Sequence, residues 1–146
     1  QRPEAPAWDA LEATEIAPPL GPPFATHFEF RVAKHFPFEE APTSGALGWL
    51  RAKEPGRGRD AAHLISLVDG WYPAAFTRMD GPRPMGTLSF TVELLVDPRT
   101  IDPALPLLHA ASAPVTAGGY SVEFRQLWTQ DGRLAALNQQ TFAIIK

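Results

Sequence analysis

Apolar and polar residues alternate along much of the chain, and this period of two restricts the fold to one built largely from strands. Six segments are strand candidates: residues 24–32, 46–53, 87–94, 107–115, 120–129 and 134–145. Glycine tolerates the positive φ of tight turns, so Gly118-Gly119 and Asp131-Gly132 favour short connections between the last three segments. The sequence therefore predicts a mostly antiparallel sheet.

One segment departs from this alternation and has the spacing of a helix. From Ala61 to Tyr72, apolar residues recur at i, i+3, i+4 and i+7. Asp60 can cap the first turn by accepting from its free amides, and Gly70 with Pro73 favours an end or a kink. One helix with a mostly antiparallel sheet is an α+β arrangement. Because the apolar face of the sheet needs a cover, we expect a hot-dog fold, in which the sheet wraps around a central helix.

The length of 146 residues fits one domain, with a proline-rich segment before it. The first 23 residues contain six of the 16 prolines, which suit neither helices nor central strands. We expect residues 1–23 to be a linker that packs along a neighbour and residues 24–146 to form the domain. The chain begins with Gln1 and shows no signal-peptide pattern, so it is expected to be part of a longer polypeptide.

Composition argues against several classes of function. The net charge is −3 and the basic residues are scattered, whereas nucleic-acid binding usually needs a basic stripe. No apolar run reaches the roughly 18 residues of a membrane span. The chain has no cysteine, and its four histidines lack the spacing of a metal site. We expect no metal, no cofactor, no nucleic acid and no membrane partner, and a cytoplasmic location.

Three segments carry a resemblance to a known family. They are the helix LISLVDGWYP, the strand TLSFTVELLVDP and the hairpin YSVEFRQLWTQDGRLAALNQQ. Together they resemble the C-terminal half of the acyl-CoA thioesterase II family, whose chains contain two fused hot-dog halves. The resemblance implies hydrolysis of acyl-CoA to a free fatty acid and CoA. It also implies partners: the acyl-CoA substrate, an N-terminal hot-dog half or a second copy of this chain, and assembly into a homo-oligomer.

The resemblance also implies candidate catalytic residues. In the family, an aspartate, a serine or threonine, and a glutamine hold the attacking water; Asp69 matches the first and Gln140 the third. The hydroxyl position aligns with Leu88, and the neighbouring Thr87 and Ser89 would face the opposite side of a regular strand. A one-residue bulge would bring either hydroxyl round. Thr87 and Ser89 are therefore reserve candidates.

Thioester hydrolysis needs a positioned water, a group that takes its proton and donors for the carbonyl oxygen. Asp69 lies at the edge of the apolar face of the helix, where we expect Leu64, Ile65 and Trp71 to bury it and make it a stronger base. The alternative is an acid at the helix end that reaches solvent. Gln140 alone would more often be an exposed strand residue.

Two other functions stay open from sequence. A non-catalytic half could stabilise its partner or bind acyl chains, and the missing hydroxyl at Leu88 favours this. A dehydratase or hydratase ranks last, because His63 is six residues from Asp69 and does not lie beside it on a helix. The basic loop Arg57-Gly58-Arg59 could meet CoA phosphates at the helix start, although a solvated loop is the simpler interpretation.

Overall fold

The computed structural model describes residues 1–19, 21–57 and 60–145. These residues form one α-helix, α1 (Ala61–Asp69), and six strands. The strands are β1 (Phe28–Lys34), β2 (Gly45–Ala52), β3 (Met85–Leu94), β4 (Leu107–Ala117), β5 (Tyr120–Trp128) and β6 (Leu134–Ile144). Gly58 and Arg59 of the basic loop lie outside the described residues, so the preferred interpretation as a solvated loop and the alternative of phosphate contact both stay untested.

The six strands form one antiparallel sheet in the order β1-β2-β4-β5-β6-β3. The predicted α+β class, with a mostly antiparallel sheet and a single helix, is confirmed. No helix among the described residues has both the length and the apolar character needed to cross a membrane. The helix connects β2 to β3. The chain therefore passes from the inner strand β2 through the helix to β3, the strand at one edge of the sheet.

The predicted start of the first strand was wrong. The first strand starts at Phe28, because a short 3₁₀ helix that begins at Pro23, directly after Pro22, continues to His27. Proline has a fixed φ and no amide hydrogen to donate to a ladder. The helix ends at Asp69 with Gly70 as its C-cap residue, in agreement with the end that Gly70 and Pro73 favour. Its start is as predicted, since the Asp60 carboxylate accepts from the His63 amide at 3.1 Å.

The inner face of the sheet packs against α1. Leu64, Leu67 and Val68 of the helix are fully buried against Phe30 and Leu50 of the sheet. Burial of each large aliphatic side chain stabilises the fold by about 1.5–3 kcal/mol. This apolar contact fixes the helix axis over the sheet. It therefore determines where the last residue of the helix lies.

The segment before β1 packs against the same sheet. Trp8 contributes to an apolar cluster with Trp49 on the outer face, and the Trp49 indole donates to the Pro6 carbonyl at 2.8 Å. The amide of Thr14 donates to the Phe30 carbonyl at 2.7 Å, beside the edge strand β1. In the described structure these residues thus lie along β1 and β2. The division into a linker and a domain at residue 23 stays a prediction.

Candidate functional site

A cavity of about 490 Å³ lies where the end of α1 meets β3, β5 and β6. Its wall is largely apolar and includes the aromatic side chains of Phe24, Phe36, Phe38, Trp71, Phe76 and Phe142. Polar side chains near the helix end also line it, among them Asp69, Thr87, Arg125 and Gln140. Cavities of roughly 300–1,000 Å³ with apolar walls and a few polar groups are typical small-molecule sites. The segment before β1 contributes to the wall through Thr14, Glu15 and Ile16.

Asp69 is the last residue of α1 and borders the cavity. Its side chain is 53% exposed, and one carboxylate oxygen lies 3.5 Å from Nη1 of Arg125. The expected burial by Leu64, Ile65 and Trp71 was therefore wrong. The reason is that the helix ends at this residue, so no further turn covers the carboxylate. Asp69 is held beside a cation instead of being desolvated by apolar neighbours.

Gln140 lies on β6 and is only 2% exposed, so it is not the exposed strand residue of the alternative interpretation. Its Nε2 donates to the Thr87 hydroxyl at 2.9 Å. Its Oε1 makes no hydrogen bond with any described residue. A buried amide oxygen normally has a donor partner. Within the described structure, Gln140 thus contributes an unpaired, buried acceptor to the wall of the cavity.

A bulge in β3 brings Thr87 to Gln140. Thr87 pairs with Phe142 whereas Ser89 pairs with Thr141, so Leu88 is an extra residue on β3. Such a bulge reverses the facing of the residues before it. Thr87 therefore lines the cavity, which is the arrangement expected for a bulged strand and not for a regular one. Leu88 is 61% exposed and lies outside the cavity lining, so it does not occupy the hydroxyl position.

The structure thus brings three of the four sequence candidates to one cavity. Asp69, Thr87 and Gln140 line it. Ser89 does not, because it pairs with Thr141 on the other side of the bulge and is exposed. Within the described ranges, no group of three or more histidine, aspartate or glutamate side chains is arranged to hold a metal ion.

Sequence reasoning missed a buried ion pair beneath this cavity. Arg125 donates through Nε to Glu123 at 2.7 Å, and both side chains are at most 1% exposed. Burial raises the pKa of Glu123, while the adjacent guanidinium acts against this rise. The two charges alternate with Phe124 along β5, and the charged face is the buried one. The sequence signal for this pair is two opposite charges two residues apart, at Glu123 and Arg125. They lie on the same face of the strand as Leu127, which is buried.

His109 supports the same end of the helix from β4. Its Nε2 lies 3.2 Å from the Val68 carbonyl, and its ring stacks on Trp71 at 5.1 Å. Burial lowers the pKa of His109 to about 3, and the positive charge of Arg125 adds to this effect. Because a carbonyl only accepts, the neutral ring donates through Nε2. His109 is absent from the cavity lining and packs between sheet and helix.

Comparison with known proteins now identifies the family. Residues 2–144 match the family model described as the acyl-CoA thioesterase C-terminal domain. The chain belongs to this family. The resemblance inferred from the helix, strand and hairpin segments is therefore confirmed. A search of curated proteins finds no match.

Solved structures show the same fold. A conserved hot-dog protein of unknown function from Alicyclobacillus acidocaldarius is 29% identical over 100% of this chain, with a TM-score of 0.88. A putative thioesterase II from Thermobifida fusca YX is 20% identical over 99% of the chain, with a TM-score of 0.78. An acyl-CoA thioesterase II, TesB2, from Mycobacterium marinum is 17% identical over 99%, with a TM-score of 0.73. These matches confirm the predicted hot-dog fold.

The chain spans only about half the length of these solved structures. It covers 55% of the Alicyclobacillus chain, 54% of the Thermobifida chain and 55% of the Mycobacterium chain. In these relatives a second region therefore accompanies the part that matches this domain.

Proposed function

We propose that this domain is the C-terminal half of an acyl-CoA thioesterase that hydrolyses acyl-CoA to a free fatty acid and CoA. The observation that carries the proposal is the hydrogen bond from Gln140 to Thr87 in a cavity that also contains Asp69. Membership of the acyl-CoA thioesterase family supplies the substrate class. The aromatic wall suits the apolar acyl chain.

In the proposed reaction, one water molecule attacks the thioester carbonyl carbon. Asp69 takes one proton of this water, and Oε1 of Gln140 accepts a hydrogen bond from the other. Thr87 accepts from Nε2 of Gln140 and so fixes the orientation of the amide, whose Oε1 has no other hydrogen-bond partner among the described residues. The carbon–sulfur bond of the tetrahedral intermediate then breaks. The proton held by Asp69 passes to the CoA thiolate, which leaves as the thiol.

The proposed active site also needs a partner domain to cover it. The Asp69 side chain is 53% exposed in the isolated domain, whereas hydrolysis is favoured where bulk water is excluded. An N-terminal hot-dog half, or a second copy of this chain in a homo-oligomer, would cover this end of the cavity. The extra length of the solved relatives supports the first arrangement.

The alternatives are weaker on the geometry. The non-catalytic half was motivated by the missing hydroxyl at Leu88, and the bulge supplies the Thr87 hydroxyl instead. A dehydratase would need a histidine beside the acid. Among the described residues that line the cavity there is no histidine.

Thiol release from medium- and long-chain acyl-CoA by the full-length protein tests the proposal. Wild-type protein is expected to release thiol, and Asp69→Asn is expected to reduce kcat by about 10²–10⁴-fold because it removes the proton acceptor. Absence of thiol release from every acyl-CoA would contradict the proposed function. Turnover that Asp69→Asn leaves unchanged would move the reaction away from this cavity.

A further inference from the structure

We propose that Arg125 is a positioning residue that fixes the Asp69 carboxylate by holding the last turn of α1 from β5. This inference rests on the proposed function, because it concerns how that site keeps its geometry. It assigns a role to a buried cation that the proposed reaction does not use directly.

Arg125 contacts two consecutive residues at the helix end. Its Nη1 donates to the Val68 carbonyl at 3.0 Å and lies 3.5 Å from Oδ1 of Asp69. The last four carbonyls of a helix lack intrahelical partners, and a cation there is also favoured by the helix dipole. One nitrogen therefore holds the backbone before Asp69 and approaches its side chain. His109 bonds the same Val68 carbonyl from β4.

Glu123 keeps the guanidinium in this orientation. Its Oε1 accepts from Nε of Arg125 at 2.7 Å, and its Oε2 accepts from the Ala74 amide at 2.8 Å. Ala74 follows the turn that leaves the helix. The Glu123–Arg125 pair thus holds the chain on both sides of residues 70–73, so the helix end cannot shift without disturbing this pair.

Stability alone is a weak reason for such a pair. Removing two charges from water costs free energy that their attraction often only offsets, and apolar replacements can be neutral or stabilising. A role in holding Asp69 explains why Arg125 lies in the cavity wall. Arg31 offers a comparison: it also bonds a glutamate, Glu29, and a backbone carbonyl, that of Trp8, but lies outside the cavity lining.

The test compares Arg125→Lys with Arg31→Lys in the full-length protein. Lysine keeps the charge but lacks the planar fork that reaches several acceptors at once. We expect Arg125→Lys to lower kcat by about 10–100-fold with KM within about twofold, since a displaced catalytic group slows the reaction without weakening binding. Arg31→Lys is expected to keep kcat within about twofold. Unchanged kcat in Arg125→Lys, with Asp69→Asn inactive, overturns the inference and leaves the proposed function standing.

A second measurement does not depend on activity. Hydrogen exchange of the amides of residues 68–71 is expected to be faster in Arg125→Lys than in wild type and Arg31→Lys. If wild-type protein releases no thiol, the proposed function fails and this exchange decides the inference: equal rates overturn it. If Arg125→Lys does not fold, the double variant Glu123→Gln, Arg125→Gln replaces it, because it removes both buried charges together, and the same outcomes apply.

Discussion

The two ends of the inner sheet face differ in chemistry. Towards β1 and β2 it is apolar, with Phe30 and Leu50 against the helix. Towards β5 and β6 it carries Glu123, Arg125 and Gln140, all buried. Residues at both ends are buried beneath the same short helix, so the two ends differ in polarity and not in the extent of burial. The apolar end supplies stability, whereas the polar end positions groups around the cavity. Substitutions at the two ends should therefore affect different measured quantities.

The largest effect on stability is expected at the apolar end. Leu50→Ala should lower the free energy of unfolding by about 2–5 kcal/mol, because it removes a fully buried side chain and leaves a cavity. Denaturant unfolding measures this change. The exposed Leu105 provides the matched control, Leu105→Ala, which should change stability by less than about 0.5 kcal/mol. A loss of kcat in the folded Leu50→Ala protein would break the comparison.

At the polar end, Gln140→Leu should reduce kcat by about 10²–10³-fold, since it removes the amide proposed to hold the water. The neighbouring Gln139 lies on the exposed side of β6, so Gln139→Leu is the matched control. Thiol release measures both variants. Equal kcat values for the two variants would contradict the assignment of Gln140.

Thr87→Val should reduce kcat by about tenfold, since it removes one hydrogen bond to the Gln140 amide. Ser89→Val is the control on the other side of the bulge and should leave kcat within about twofold. If Ser89→Val had the larger effect on thiol release, Ser89 would be the hydroxyl of the site and the assigned facing of β3 would be wrong.

A separate effect concerns the pH dependence of the free energy of unfolding. Folded His109 stays neutral down to about pH 3, whereas the unfolded chain takes up a proton near pH 6.5. Between these values the unfolded state binds the extra proton, so the contribution of His109 to the free energy of unfolding falls by about 1.4 kcal/mol per pH unit as pH decreases. Glu123, with its raised pKa, acts in the opposite direction. His109→Phe should remove the contribution of His109 alone.

Denaturant unfolding between pH 6.5 and pH 4 measures this difference in slope. The exposed His27 provides the control substitution, His27→Gln. If the free energy of unfolding of His109→Phe had the same pH dependence as that of the wild type, His109 would not be neutral and buried in the folded protein.

Local patterns were sufficient for the fold and for part of the site. The helix spacing and the Asp60 cap placed α1, and its first residue was correct. Residues near one another in sequence determine both features. The family resemblance selected Asp69 and Gln140, and the structure places both at one cavity.

Features that depend on contacts between distant parts of the chain could not be predicted from these local patterns. The bulge at Leu88 arises from pairing between β3 and β6, so strict alternation assigned Thr87 to the wrong face. Alternation along β5 separates two faces but does not show which one is buried, and the charged face with Arg125 is the buried one. The cavity wall also includes Phe24, which lies outside the sheet. Its position depends on how the chain packs and cannot be predicted from the local pattern.

The most direct test of the central claim is kcat for thiol release by full-length Asp69→Asn beside Asp80→Asn. Both aspartates lie near an arginine, but Asp80 lies in an exposed turn with Arg83, away from the cavity. If the reaction takes place at the cavity, kcat of Asp69→Asn should be about 10²–10⁴-fold lower than that of the wild type. The kcat of Asp80→Asn should stay within about twofold of the wild type. Equal kcat values for both variants and wild type would contradict the account.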